Sequence, residues 1–410
     1  MITISSFLPT YQHLEEESSK QPLFSSTNII NYDKDTNKDL INNNTKSKDS
    51  NSIDRIGKND DTEEVNDINN DTTIDKNEYE EEKPIRVYGK YKFLLWEFET
   101  PIIWYSVFFI TMWHILSVYF VAIYPFPEKM PLTIYAFCIG GLSGFGITAG
   151  AHRYFTHRSY KAKLPLKLIL LMCYSIAGQN SLYDWVRDHR VHHKFSETNA
   201  DPHNANRGLF FSHVGWLMMR KHPEVIRKGR KLDLRDLTDD PLIAFHIKHW
   251  TLIKLFFCFI LPSSIPPLVW KESWFYSIGA ICFVRYILSL NFTWSVNSFA
   301  HLYGHRPYDK KIFPVENVTV SFFALGEGYH NYHHTFPWDY RAAELGQKLN
   351  ITTVWLDFFQ KIGWAYDMKA PSNELVRKVA INNGDGTHYK WGHEVPETAD
   401  CSTKEIRNTQ

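Results

Sequence analysis

The 410-residue sequence predicts an all-α membrane protein, in which four transmembrane helices form two hairpins under a helical cytosolic cap. Three observations predict this class. Four apolar stretches are each long enough to cross a hydrocarbon core. They come in two pairs, each joined by a short polar link, and the histidine-rich motifs of the cap follow the spans at one end.

The predicted spans share a length of about twenty mostly apolar residues. They cover residues 102–124, 132–151, 252–270 and 275–296. Three prolines (Pro262, Pro266 and Pro267) interrupt the third span and Arg285 charges the fourth, so we expect these groups to face protein or a cavity. The shorter apolar stretch 164–178 predicts an interfacial or re-entrant helix.

Two hairpins place both termini and the long middle segment on one face of the membrane. That segment carries basic runs such as "RKHPEVIRKGRK", and an excess of Lys and Arg near span ends indicates the cytosol. All the histidine motifs then lie on the cytosolic side.

The chain divides by composition. Residues 1–85 are rich in Asn, Asp, Lys and Ser and predict a disordered cytosolic tail, residues 86–392 form the membrane domain, and residues 393–410 predict a second disordered tail.

The 45 basic residues equal the 45 acidic ones, so overall charge gives no reason to expect a nucleic-acid partner. Five scattered cysteines without C-x-x-C spacing predict no disulfide framework.

Histidines dominate the candidate functional residues. The spacing H-x-x-H-H occurs twice, at His189, His192 and His193 and at His330, His333 and His334. On an α-helix such a set shares one side, so each motif can aim imidazoles at one point. His152 and His157 would lie on less coincident faces, which predicts a helix end, and His301 follows the fourth span.

This concentration of imidazoles predicts a metal centre. Eight or nine histidines exceed the needs of one four-coordinate zinc ion, so two metals are favoured. Nitrogen ligands without paired thiolates suit iron, although zinc and copper also fit. A structural zinc site and a membrane metal transporter are alternatives; transporters, however, place their ligands near the middle of the bilayer.

Several stretches resemble one family closely. "HRYFTH", "RDHRVHHKFSETNADPH", "FFSHVGWLMMRKHP" and "GEGYHNYHHTFPWDY" resemble the signatures of the acyl-CoA delta-9 desaturases, the stearoyl-CoA desaturase family, over about residues 91–391. The resemblance implies a di-iron enzyme of the endoplasmic reticulum membrane. Such an enzyme uses O2 and two electrons to insert a cis double bond into a fatty acyl-CoA such as stearoyl- or palmitoyl-CoA. A membrane di-iron fatty acid or sterol hydroxylase is the nearest alternative.

The resemblance also implies roles for individual residues. It gives one iron to His152, His157, His189, His193 and His333. It gives the other to His192, His301, His330 and His334, with Asn297 acting through water. It implicates Arg187, Asp188, Arg220 and Lys221 in CoA binding and Trp294 in substrate contact, and it places Gly140 and Gly144 near the far end of an acyl tunnel. The alternatives are a solvated basic face for the charged residues and close helix packing for the glycines.

Two further expectations concern partners and modification. The sequence has no dinucleotide fingerprint and no haem-attachment motif, so the resemblance implies electrons from a separate cytochrome b5 and its NADH-dependent reductase. Outside the N-terminal tail, glycosylation sequons begin at Asn291, Asn317 and Asn350, and the predicted topology leaves all three unused.

Overall fold

A computed structural model describes residues 85–392 of the chain, apart from residue 88 and residues 94–95 and 345–348. The predictions for the two tails therefore concern residues that lie almost wholly outside the described part. Within that part the structure is mostly helical, and the predicted all-α membrane class is confirmed.

Four helices are long and apolar enough to span a membrane. They are α1 (Trp104–Ile123), α2 (Met130–Thr156), α9 (Trp250–Trp270) and α10 (Trp274–Leu302). Short links, residues 124–129 and 271–273, join them in two consecutive pairs, as predicted. α2 and α10 are longer than predicted because each continues past its apolar stretch and carries a histidine, His152 or His301, at that end.

The packing of the first span differs from a simple hairpin, because α1 packs mainly against α10 rather than against α2. Trp113 of α1 donates a hydrogen bond to the Cys282 carbonyl (3.2 Å), and the rings of Phe120 and Phe283 stack at 5.5 Å. Gly279 allows this approach, since a Cβ there would lie 2.1 Å from the Phe120 ring.

The polar groups inside the spans are accommodated as expected. Arg285 is buried, and its guanidinium donates to the carbonyls of Ile176 (3.0 Å) and Cys258 (2.7 Å). Both Cys258 and Arg285 lie in π-helical turns, which cover residues 255–260 of α9 and 279–285 of α10. The charge therefore faces protein rather than lipid.

The remaining elements surround the spans. The helices are α3 (Leu164–Ala177), α4 (Leu182–Phe195), α5 (Leu209–His213), α6 (Pro223–Arg230), α7 (Arg235–Thr238), α8 (Pro241–Lys248), α11 (Val318–Phe323), α12 (His330–Thr335), α13 (Ile351–Lys361) and α14 (Asn373–Asn383), with 3₁₀ turns at Ala205–Arg207 and Gly215–Met218. Two antiparallel strand pairs complete the described part: β1 (Tyr91–Phe93) with β2 (Trp96–Phe98), and β3 (Lys161–Ala162) with β4 (Ala365–Tyr366).

The short apolar helix α3 lies against α2 and α9. Gly146 of α2 makes this possible, because a Cβ there would lie 2.2 Å from the backbone of Cys173 and Tyr174. One stripe of α3, formed by Leu164, Leu168 and Met172, stays exposed. The helix is too short to span a hydrocarbon core, in agreement with the prediction that it is not a span.

Candidate metal centre

The end of α2 provides the first two histidines. Residues 146–156 form a π-helix, and the His157 N–H donates to the His152 carbonyl at 3.1 Å, five residues back. This wider turn brings positions i and i+5 together, so the two rings lie 4.8 Å apart. The helix end was predicted correctly, but the expected divergence of the two faces was wrong because it assumed α-helical spacing.

The two H-x-x-H-H motifs lie on α4 and α12. Ser181 caps α4 by accepting a hydrogen bond from the Asp184 N–H (3.2 Å), and the helix then carries its motif in its last two turns. α12 begins at His330, the first residue of the second motif. The motifs face each other, and the rings of His193 and His334 stack at 4.1 Å.

The nine histidines form two groups. Within each group one nitrogen of every ring lies within 4.8 Å of the others; the first contains His152, His157, His189, His193 and His333, and the second contains His192, His301, His330 and His334. The division equals the one that the resemblance implied. A third group, His192, Asp201 and His203, shares His192 with the second and lies at its edge.

The distances between ring nitrogens fit ligands that converge on a common metal. The Nε2 atoms of His152 and His333 are 2.9 Å apart, and those of His301 and His330 are 3.0 Å apart. Ligands at right angles on a metal, each about 2.1 Å away, lie about 3.0 Å from one another, whereas tetrahedral ligands lie about 3.4 Å apart. The two separations are closer to the right-angle value.

Carboxylates hold the opposite ring nitrogens of three of these histidines. Nδ1 of His152 lies 2.9 Å from Glu327, Nδ1 of His192 lies 3.0 Å from Asp201, and Nδ1 of His301 lies 2.6 Å from Glu197. A carboxylate on Nδ1 fixes the proton there and leaves Nε2 with its lone pair for a metal. In the second group the Nε2 of His192 is buried and has no protein partner. These residues fit a metal centre.

Buried Arg153 fixes the Glu327 carboxylate. Its Nε and one terminal nitrogen donate to Glu327 (3.0 and 2.8 Å), and it also donates to Asn350 (3.2 Å) and Thr353 (3.0 Å) at the start of α13. Sequence reasoning missed Arg153 and all three carboxylates. A signal was present, since Glu197, Asp201 and Glu327 each lie within eight residues of a histidine motif.

Electrostatics keep most of the rings neutral. Burial first, and then the neighbouring imidazoles, lower the pKa well below its usual value for His157, His189, His193, His330, His333 and His334. His192 differs: burial would lower its pKa, but the Asp201 carboxylate outweighs burial and raises it. Neutral imidazole is the form that binds metals.

Three of the four residues implicated in CoA binding form an ion network centred on Asp188. Lys221 donates to both Asp188 oxygens (2.7 and 2.6 Å), and Arg187 contacts Asp188 (3.2 Å) and Asp184 (2.9 Å). Burial alone would raise the pKa of Asp188, but the two cations hold it below its usual value. The alternative of a wholly solvated basic face is wrong for Arg187 and Lys221, which are partly or fully buried against carboxylates. Arg220 lies beside them, half-buried.

Two cavities lie among the spans, and histidines line the first of them. The first, of about 470 Å³, is lined by Trp294 and Asn297 together with His152 and His189. The second, of about 560 Å³, is lined by Gly140 and Gly144 among mostly apolar side chains. Volumes of this size suit small apolar ligands.

The two cavities share a wall. Thr148, Gln179 and Thr293 line both of them. Gln179 donates to Thr293 (2.9 Å) and accepts from the Trp185 indole (2.9 Å), so this wall is fixed by hydrogen bonds. The first cavity contacts histidines on one side of this wall, and the second is lined by the glycines on the other.

Comparison with known proteins agrees with this arrangement. The fatty acid desaturase family model matches residues 129–347, which include all nine histidines. The chain belongs to this family. It is 47% identical over 318 residues to an acyl-CoA delta-9 desaturase of Acheta domesticus, covering 76% of this chain and 89% of the relative.

Other relatives of similar likeness differ in their names. The chain is 44% identical to an acyl-CoA delta(11) desaturase of Spodoptera littoralis (81% of this chain, 96% of the relative). It is 48% identical to stearoyl-CoA desaturase 5 of Bos taurus (70% and 85%). The protein is therefore a multi-pass membrane desaturase of the acyl-CoA type, from a family that binds iron, and its histidines could hold a metal.

Proposed function

We propose that this protein is an acyl-CoA delta-9 desaturase that forms a cis double bond in stearoyl- or palmitoyl-CoA. The observation that carries the proposal is that His152 and His189, both of the first histidine group, line an apolar cavity whose walls include the membrane spans. The delta-9 position is supported by the name of the Acheta domesticus relative and the stearoyl substrate by that of the Bos taurus relative, while the delta(11) relative names a different position.

Two iron ions would occupy the two histidine groups, with Asn297 reaching the second through water. Bound iron supplies the activation of O2 that removal of hydrogen from an unactivated methylene requires. The protein's own residues orient the imidazoles through Glu327, Asp201 and Glu197, and the apolar wall keeps water from the acyl chain. Electrons would come from cytochrome b5 and its NADH-dependent reductase.

The CoA group would bind at Arg187, Asp188, Arg220 and Lys221, close to the first cavity. Asp188 lines that cavity, as does Trp294, which is buried beside it. Because α4 carries both Arg187 and His189, the distance from CoA to the metals is set by one helix. Such a fixed distance would determine which carbon of the chain reacts.

The acyl chain would end in the second cavity. A Cβ at Gly140 would have 3.8 Å to its nearest neighbour, Arg285, so the cavity has room at this position. We expect the enzyme to accept chains at least as long as stearoyl. The protein would lie in the endoplasmic reticulum membrane with both termini in the cytosol, and Asn317 and Asn350 would carry no glycan.

The test is expression of the full chain in a host that lacks its own desaturase, followed by gas chromatography and mass spectrometry of the lipids. Formation of 9-cis products, lost in His193→Ala, is expected. Products unsaturated at position 11 or 12 would refute the delta-9 position alone, whereas a hydroxylated product would refute desaturation. Purified protein that turns over equally with and without cytochrome b5 would contradict the electron route.

A further inference from the structure

The helix α13 has an apolar face that no described residue covers. Its exposed apolar side chains lie within an arc of about 100° when residues are placed at 100° intervals. They are Ile351, Val354, Trp355, Phe358 and Ile362, the last just past the helix, and each is between 43% and 52% exposed. On the opposite side Thr352, Thr353 and Leu356 are buried, and Gln360, in the last turn, is exposed.

The buried face of α13 packs on α2. Thr352 and Thr148 share a hydrogen bond between their hydroxyls at 2.7 Å, and the rings of Phe359 and Phe145 lie 6.1 Å apart. These contacts tie α13 to two known positions along a membrane-spanning helix. The depth of α13 can therefore be measured along α2.

The far end of α2 is fixed by a charged pair. Lys129, which precedes the helix, bonds Glu272, which precedes α10, at 2.6 Å, and such a pair belongs outside the hydrocarbon. From Met130, Phe145 is about 22 Å and Thr148 about 27 Å along the axis at 1.5 Å per residue. Both lie short of the roughly 30 Å thickness of a hydrocarbon core, and any tilt of α2 reduces their height further.

A second helix, α11, lies at a similar depth when measured along α10 from the same charged pair. The rings of Phe323 of α11 and Phe292 of α10 stack at 4.9 Å. Phe292 lies about 27 Å from Trp274, the first residue of α10. The neighbouring Val318 and Phe322 of α11 are about 60% exposed.

We propose that α13 is a membrane-surface helix whose apolar face is immersed in the acyl-chain region of the leaflet on the histidine side. Its occupant is lipid, since contacts with α2 place the helix below the hydrocarbon boundary. The exposed stripe of α3 continues this surface. β3, just before α3, pairs with β4, just after α13, and so holds the two helices side by side. Exposed Lys163 and Lys361 at its edges suit anionic headgroups.

The two faces of α13 then contact different surroundings. The outer face contacts lipid, and residues at its start, Asn350 and Thr353, accept hydrogen bonds from Arg153, which holds Glu327 against His152. Lipid contact thus braces the helix that supports one ligand of the metal centre. This role does not require the delta-9 activity proposed above.

Spin labelling of the full-length protein tests the proposal. Single cysteines replace Val354, Phe358 or Gln360 after the exposed native cysteine, Cys138, and Cys401 are changed to serine; the protein is reconstituted in phospholipid nanodiscs. We expect labels at 354 and 358 to be more accessible to O2 than to a water-soluble nickel complex. The label at exposed Gln360, on the other side of the helix, should show a lower ratio of O2 to nickel accessibility.

Two results of the spin-labelling experiment would overturn the proposal. Nickel accessibility above that of O2 at 354 and 358 would place the face in water, and low accessibility to both would show that protein covers it. Unmodified protein in nanodiscs with acyl-chain diazirine lipid provides a measurement free of substitutions. Photo-adducts should form on residues 351–362 and not on α14, whose exposed face includes Asn373, Glu374 and Lys378; adducts confined to the spans would contradict the proposal.

Discussion

Glu197→Gln should weaken one of the two metal sites selectively. The Glu197 carboxylate lies 2.6 Å from Nδ1 of His301, and both side chains are buried. The backbone fixes the glutamate in place: its φ is +57°, its N–H donates to Asp201 (2.9 Å) and its carbonyl accepts from Asn206 (2.9 Å). Glutamine at this position therefore keeps the oxygen near His301 and removes only the charge.

The expected magnitude follows from the role of the carboxylate. Loss of such a partner typically costs 10–100-fold in metal affinity, or about 1.4–2.7 kcal/mol. Because glutamine retains a neutral acceptor, and charge-assisted hydrogen bonds are about twice as strong as neutral ones, we expect the lower end, about tenfold. Asp201→Asn should act on the same group through His192.

The assay is iron retention by the full-length protein in nanodiscs, measured by elemental mass spectrometry against rising chelator concentration. In Glu197→Gln one of two irons should leave at about tenfold lower chelator, with the other unchanged. Glu224→Gln, at an exposed pair with Arg227, is the matched control and should behave as wild type. If both irons leave together, or neither shifts while the variant stays folded, the reasoning about separate carboxylate support is wrong.

Three further predictions concern the spans and the cap. Gly140→Phe should shift products towards shorter acyl chains by filling the second cavity, whereas Leu142→Phe, exposed on the same helix, should not; unchanged product lengths would contradict the tunnel assignment. Gly279→Ala should lower the free energy of unfolding by about 1–3 kcal/mol, because its Cβ would lie 2.1 Å from an aromatic ring of α1. Gly141→Ala, whose Cβ would have no neighbour within 4 Å, should leave it unchanged. Burial raises the pKa of Glu316 to about 8. Between about pH 4.5 and pH 8 the folded protein therefore keeps a proton on Glu316 that the unfolded chain has lost. The free energy of unfolding falls as the pH rises through this range. Glu316→Gln should therefore stabilise more at pH 8 than at pH 5, and an equal shift in melting temperature at both would exclude this cause.

The spans could be predicted from the sequence because hydrophobic length is a strong local signal. Their ends could not: α2 and α10 continue into polar sequence, where tertiary contacts with α4 and α12 rather than hydrophobicity maintain the helix. The packing of α1 against α10 also escaped prediction. It depends on the close approach at Gly279, which chain order does not reveal.

The histidine centre could be predicted in part, because helical spacing within one segment is also a local signal. The H-x-x-H-H spacing predicts shared faces on an α-helix, and α4 and α12 have them. The pair His152 and His157 follows π-helical spacing, which no local sequence pattern indicated. The grouping into five and four histidines came from the resemblance, since spacing within one segment carries no information about contacts between distant segments.

The sequence shows that α13 is amphipathic, but it does not show the depth of the helix in the membrane or what lies against its apolar face. An apolar stripe on an eleven-residue helix fits a protein core equally well. Its contacts with Phe145 and Thr148, at known heights along α2, are the basis for proposing lipid as the neighbour.

Anomalous scattering at the iron absorption edge, from crystals of the purified full-length protein, tests the central claim most directly. Two separate iron peaks are expected, one enclosed by His152, His157, His189, His193 and His333, and one by His192, His301, His330 and His334. A single peak, or a peak outside both groups, would contradict the assignment of two metals to these nine imidazoles.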